Sequence, residues 1–232
     1  MENVTFYDGE MPSNYEQKCP VVFVIDRSGS MSGSPITELN KGMQEFQKEI
    51  LNDPVASSRL DVAIISFGSD TKVERDFALL DEGDIPTIDI SGSTRLVDGM
   101  REGMRVLKDR KDWYKQTQQT YYRPYVILIT DGGPDGNQDV DGLATEIRNE
   151  ANAKGLCFWP IGVTAADMNM LNKIAVPDIP GNLPPLKLDG LKFVELFQWL
   201  SSSFTKISNS KDGEGIDVTP ESGTKIPFQF NV

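Results

Sequence analysis

Two kinds of apolar pattern alternate along the chain. Val21-Val22-Phe23-Val24-Ile25 is apolar at every position, and so, nearly, are Leu60 to Phe67 and Tyr125 to Thr130. Short uninterrupted runs rich in β-branched and aromatic residues predict strands buried on both faces of a parallel sheet. Leu156 to Val163 predicts a further strand, broken internally by Pro160. Lys72 to Phe77 predicts a hairpin partner for the second strand, and Pro185 to Leu188 an edge strand. Asp84 to Ile90 reads as irregular chain or a short strand.

Between these runs the apolar residues recur every three to four positions, the period of a helix with one buried stripe. Ile36, Leu39, Met43, Phe46 and Ile50 mark the first helix, with Pro35 at its first position and Ser34 as its cap. Asn52-Asp53-Pro54 ends it. Val97, Met100, Met104 and Leu107 mark the second, running to about Tyr114. Val140, Leu143, Ile147 and Ala151 mark the third. A short helix is expected over Asp167 to Ile174, and a last one on Phe193, Leu196, Leu200, Phe204 and Ile207. Strands alternating with helices predict one α/β domain: a doubly wound, mostly parallel central sheet flanked by helices. Residues 1–19 read as an N-terminal lead-in, 20–207 as the domain, and 208–232 as a C-terminal tail or surface arm. Ile226 to Phe230 is a short strand or a docking peptide.

Composition narrows the chemistry. The 232 residues contain no histidine, which removes Ser-His-Asp and Cys-His catalysis and histidine-based zinc sites. Any metal is therefore held by oxygen, which means a hard cation: Mg2+, Mn2+ or Ca2+. The two cysteines, Cys19 and Cys157, form no CxxC pair and read as small buried residues. The formal net charge of −12 disfavours nucleic acid and anionic membrane as partners. Met1 to Gln17 is polar and acidic, unlike a signal peptide, and no run approaches the roughly 20 apolar residues of a membrane span. The expected location is cytoplasmic.

In doubly wound sheets, function gathers beyond the C-terminal strand ends. After the first strand stands Asp26-Arg27-Ser28-Gly29-Ser30, with oxygen-bearing side chains at alternate positions, able to converge on one point. The loop Ser91-Gly92-Ser93-Thr94 adds the Thr94 hydroxyl, and the loop after the 125–130 strand adds Asp131. Two carboxylates and three hydroxyls make a set for a hard divalent cation. Because three donors are neutral, such a site would hold metal loosely and recruit an outside anion, such as a carboxylate of a partner protein. Asp135, Asn137 and Asp139 read as a solvated loop rimming that face. Trp113, Tyr114, Tyr121 and Tyr122 read as packing, and Met31 is either exposed for contact or buried beneath the loop.

Asp26-Arg27-Ser28-Gly29-Ser30, Thr94 and Thr130-Asp131-Gly132 together resemble the metal-ion-dependent adhesion site (MIDAS) of von Willebrand factor A (VWA) domains. Val24 to Met31, Ser34-Pro35-Ile36, Leu39-Asn40 and Ala63 to Phe67 are similar to the TerY-like bacterial branch. The resemblance covers about Pro20 to Ile207. It implies a sheet sandwiched by helices with Mg2+ at its top. Ser28, Ser30 and Thr94 would then touch the metal, and Asp26 and Asp131 would act through water. It also implies a protein-interaction module in a cytoplasmic stress-response or signalling complex. Relatives lie beside kinase, phosphatase or tellurite-resistance genes, which makes kinase or phosphatase proteins the implied partners. Three departures stand out. There is no Cys-rich zinc extension. Arg95 follows Thr94 where a small or apolar residue is usual, and its charge would weaken metal binding or clamp a carboxylate. Gly133-Pro134-Asp135 replaces a Glu-Pro-Thr form.

Two other classes compete with a binding module. A Mg2+-dependent phosphoryl hydrolase would use Asp26 as nucleophile, but the DxD motif of such enzymes is interrupted by Ser28, and no glycine-rich loop with a Lys occurs. A surface adhesion protein would need an export signal. The expectation is a binding module and not an enzyme.

Overall fold

The computed structural model describes residues 11–81, 83–188 and 190–210, and the backbone of 228–230. Seven strands form one sheet: β1 (Cys19–Asp26), β2 (Leu60–Phe67), β3 (Thr71–Leu79), β4 (Tyr125–Thr130), β5 (Cys157–Gly162), β6 (Leu186–Leu188) and β7 (Phe228–Phe230). Their order is β3-β2-β1-β4-β5-β6-β7, with β3 and β7 antiparallel to their neighbours and the rest parallel. The helices are α1 (Ser34–Leu51), α2 (Pro54–Arg59), α3 (Leu96–Thr117), α4 (Val140–Asn152), α5 (Met168–Ile174) and α6 (Phe193–Asn209).

The continuous apolar runs serve two cores at once. Val21, Phe23 and Ile25 face a layer closed by α1 and α6, where Phe46, Phe197 and Phe204 pack. Val22 and Val24 face the other layer, under α3, α4 and α5, with Met100, Leu143 and Leu171. The two-residue period of a strand divides each run between the faces, so nearly every position is apolar. Gly42 of α1 meets α6 at close range: a Cβ there would lie 2.6 Å from Phe197 Cδ2 and 2.9 Å from the Phe193 carbonyl. Cys19 and Cys157 are both buried free thiols, Met31 is fully buried, and Trp159 lies in the core with the tilted Trp199 ring beside it.

Several local expectations are corrected. Ser34 is the first residue of α1 and not its cap. Gly33, at φ +83°, takes that place, and its carbonyl accepts from Thr37 N–H at 3.3 Å. After Asn52 the chain forms a second short helix, α2, because Asp53 Oδ1 accepts from the N–H groups of Val55 and Ala56. The second predicted helix continues past Tyr114 to Thr117, where Gln118 adopts a left-handed conformation.

Pro160 does not break its strand. Phe158 N–H and C=O point towards the β6 side, bonding Asn182 and Leu183, and by alternation Pro160 points the same way. Pairing with β6 starts only at Ile161, so the missing N–H of Pro160 costs no ladder bond. Asp84 to Ile90 is irregular chain. Of the expected arm, 211–227 and 231–232 lie outside the described residues, as do residues 1–10 of the lead-in. Phe228–Phe230 is a strand that pairs with β6.

Candidate metal centre

β1 and β4 are neighbouring parallel strands, so their C-terminal ends open onto the same edge of the sheet. Asp26, the last residue of β1, and Thr130, the last of β4, meet there: Thr130 Oγ1 donates to Asp26 Oδ2 at 2.5 Å. Asp26 Oδ1 accepts from Ser28 N–H at 2.8 Å, which turns the chain tightly after the strand. Ser28 Oγ and Ser30 Oγ lie 3.1 Å apart, and Ser30 Oγ donates to Asp131 Oδ1 at 2.7 Å. Four of the five expected donors thus form one connected oxygen cluster. Asp26, Ser28 and Asp131 are buried and Ser30 is exposed, so the cluster opens to solvent on its Ser30 side.

Thr94 joins through the backbone. Its loop is tied to the first by Gly29 N–H donating to the Gly92 carbonyl at 2.7 Å and Ser91 N–H to the Arg27 carbonyl at 2.7 Å. A Cβ on Gly29 would meet the Gly92 oxygen at 3.3 Å, which favours glycine there. Thr94 is buried.

The donors fit a hard cation. All are oxygens, two of them carboxylates. Neighbouring ligands of an octahedral Mg2+, at about 2.1 Å from the metal, stand about 3.0 Å apart. The Ser28–Ser30 separation, 3.1 Å, lies close to that spacing, and the Ser30 bond to Asp131 brings the second carboxylate alongside. Burial raises the Asp26 pKa above the usual carboxylate value, and the nearby charge of Asp131 adds to it, while the bonds from Ser28 and Thr130 pull the other way. A cation between the two carboxylates would relieve both unfavourable effects. Among the described residues no group of three or more His, Cys, Asp or Glu side chains is placed to hold a metal. The cluster relies on hydroxyls for the rest of its donors.

The supporting roles of Arg27, Asp70, Ser91, Asp135 and Gln138 were not read from sequence. Arg27, between Asp26 and Ser28, pairs with Asp70 at 2.5 Å, and Ser91 Oγ donates to the same Asp70 oxygen at 3.0 Å. Asp135 is exposed on the solvated loop expected there, and its Oδ2 also accepts from Thr94 N–H at 2.7 Å. Gln138 Nε2 donates to the Thr94 carbonyl at 2.7 Å. Their roles exist only through partners more than 20 residues away, which no local pattern carries. Arg95 is turned to Asp98, at 2.6 Å, and lines an open cavity of about 500 Å³ beside Thr94 with Arg101, Asp135 and Asp139.

Residues 21–182 match the sequence profile of the von Willebrand factor type A domain. The chain belongs to this family. VWA domains are protein-interaction and adhesion modules. A stretch of 114 residues is 27% identical to inter-alpha-trypsin inhibitor heavy chain H3 of Mesocricetus auratus, covering 48% of this chain and 13% of that protein. Among solved structures, the pilus adhesin SpaC of Lactobacillus rhamnosus GG in its open conformation superposes with a TM-score of 0.64 at 14% identity, over 85% of this chain and 31% of that one. The vWF domain of the type V pili tip protein Mfa5 of Porphyromonas gingivalis gives 0.58 at 14% identity, over 87% of this chain and 99% of that one. At these identities the structural likeness is one of VWA fold. Among the described residues no helix is long and apolar enough to cross a membrane.

Proposed function

We propose that this VWA domain is a metal-dependent protein-interaction module of the MIDAS type. Asp26, Ser28, Ser30, Thr94 and Asp131 hold one Mg2+, or Mn2+ or Ca2+ in its place, and a partner protein's Asp or Glu completes the shell. The reading is carried by the Ser28–Ser30–Asp131 oxygen series, which brings side chains of two separate loops together at one point beside buried Asp26. The cation, when bound, supplies a localised positive charge to an anionic oxygen. The chain's own residues do the rest. Ser28 N–H and Thr130 Oγ1 orient the Asp26 carboxylate, Ser30 carries the donor row to the exposed side, and neutral hydroxyls leave most of the metal's charge for the incoming carboxylate.

The module binds and does not catalyse. A chain without histidine and with Ser28 where a phosphoryl hydrolase would carry its second Asp gives little support to an enzyme. The Val24 to Met31 run favours a TerY-like assignment and a place in a cytoplasmic stress-response or signalling complex with kinase or phosphatase proteins. Cell fractionation with surface proteolysis tests that placement.

The deciding experiment is calorimetric titration of chelator-stripped protein with Mg2+, Mn2+ and Ca2+, with Asp131→Ala alongside. One-site binding that the variant loses supports the reading. Equal binding by both proteins, or none by the wild type even with a carboxylate ligand added, overturns it. Partner capture with and without chelator follows.

A further inference from the structure

We propose that Asp135 and Gln138 are positioning residues that hold Thr94 as a metal donor, so that the acidic loop after β4 sets the affinity of the centre. This inference rests on the metal-site reading above.

The backbone around Thr94 is anchored in two directions. Upstream, Ser91 and Gly92 bond Arg27 and Gly29, and Ser69 N–H donates to Ser91. Ser93 N–H donates to Ser69 Oγ at 3.1 Å. Downstream, Arg95 N–H donates to the Gly68 carbonyl at 3.1 Å. Each of these bonds runs to β1, β2 or the loops that follow them.

Thr94 itself is held from the other side. Its N–H donates to Asp135 Oδ2 at 2.7 Å, and its carbonyl accepts from Asp135 N–H at 3.1 Å and from Gln138 Nε2 at 2.7 Å. Both polar backbone groups of this one residue therefore go to the loop that also carries Asp131. Gln138 closes the arrangement. Its Nε2 also donates to the Asp135 carbonyl at 2.8 Å, and its Oε1 accepts from Val97 N–H at 3.0 Å in the first turn of α3.

The loop needs such bonds. Gly132, Gly133 and Gly136 give its backbone wide freedom, and Gly136 sits at φ +65°. A threonine hydroxyl is a neutral donor, so little metal attraction is available to order it at binding. A ligand held in place beforehand does not spend that affinity on ordering. Outer residues that orient metal ligands typically change affinity by about 10–100-fold when removed.

The test uses the whole chain with Asp135→Ala, Asp135→Asn and Gln138→Glu. Asparagine keeps an acceptor oxygen for Thr94 N–H, alanine removes it, and glutamate places an acceptor where the Thr94 carbonyl needs a donor. Three readouts are taken: Mg2+ affinity by calorimetry, hydrogen exchange at the Thr94 amide by NMR in chelator, and the thermal midpoint in chelator. Asp135→Ala and Gln138→Glu should bind Mg2+ about tenfold more weakly, at the low end of that range, with an unchanged midpoint. Asp135→Ala should also speed Thr94 exchange, and Asp135→Asn should restore most of both properties. Wild-type Mg2+ affinity in Asp135→Ala overturns the proposal even if exchange is faster. Equal weakening by alanine and asparagine also overturns it, because the charge and not the hydrogen bond would then be acting. A wild type that binds no Mg2+ removes the metal reading itself, and the exchange data then stand apart from it.

Discussion

Ser30 and Asp131, 101 residues apart in sequence, are joined by a 2.7 Å hydrogen bond from the serine hydroxyl to the Asp131 carboxylate. The bond closes the oxygen cluster on its solvent side. In the proposed centre Ser30 is a metal ligand and Asp131 acts through water, so the two side chains are already assembled before a cation arrives.

Asp131→Ala should abolish or strongly weaken Mg2+ binding without unfolding the protein, since Asp131 stands at the mouth of the cluster. Asp26→Asn should also lose metal. Asp26→Ala should cost stability as well, about 1–3 kcal/mol, because buried Ser28 N–H and Thr130 Oγ1 lose their acceptor. Urea unfolding of the three variants in chelator checks the split. Equal stability of Asp26→Ala and Asp131→Ala would show that Asp26 has no structural part.

Mg2+ should raise thermal stability by mass action. At a hundred times its dissociation constant a ligand adds about 2.7 kcal/mol. For a domain of this size that corresponds to a rise of about 5–10 °C in midpoint. Scanning calorimetry in chelator and in excess Mg2+ measures it, and Asp131→Ala should show no rise.

At the opposite end of the sheet, fully buried Asp61 accepts from Arg110 Nε at 2.8 Å and from Tyr114 Oη at 2.5 Å, while the Arg110 guanidinium lies 4.0 Å from the Trp113 ring centre. Removing the cation leaves a buried carboxylate without its charge partner. Arg110→Ala should therefore cost about 3–5 kcal/mol, and Tyr114→Phe about 1.5–3 kcal/mol. Neither should change Mg2+ affinity. Chemical unfolding and calorimetry on the same samples separate the two effects.

Gly42→Ala should destabilise the domain by about 1–3 kcal/mol through overpacking, although alanine is the better helix former. The new methyl would collide with Phe197 and the Phe193 carbonyl across the α1–α6 contact. A gain in stability on denaturant unfolding would mean that α6 moves away at little cost.

Burial pushes both thiols up, Cys157 from 9.0 to about 11. A group whose pKa is higher folded than unfolded stabilises the fold fully below the unfolded value, and that stability is lost as pH rises through the folded one. The contribution of Cys157 should therefore fade between about pH 9 and 11, and Cys157→Ala should flatten that limb of the stability profile. Neither thiol should react with an aromatic disulfide reagent at pH 8 until the chain is unfolded.

Much of the fold was legible because burial on both faces of β1, β2 and β4 leaves nearly every position apolar, a pattern that needs no knowledge of neighbours. α2 was missed because six residues are too few to show a period, and its start depends on the Asp53 cap. Pro160 was misread because its cost depends on which side of β5 is paired at that point, a property of the sheet and not of the strand.

The candidate centre divides in the same way. Sequence alone determined the donor types and their order: Asp26, Ser28 and Ser30 on one loop, Thr94 and Asp131 on two others, all oxygen, with no histidine to compete. Tertiary structure decided that β1 and β4 are neighbours, and so that Asp131 reaches Ser30. It also decided that Thr130 grips Asp26, that Arg95 is turned to Asp98, and that Asp135 and Gln138 hold Thr94. The physical reason is the range of each effect. Burial and backbone period act along the chain and leave a trace in composition. A hydrogen bond acts over about 3 Å in space, and its partner is chosen only when the strands have taken their order.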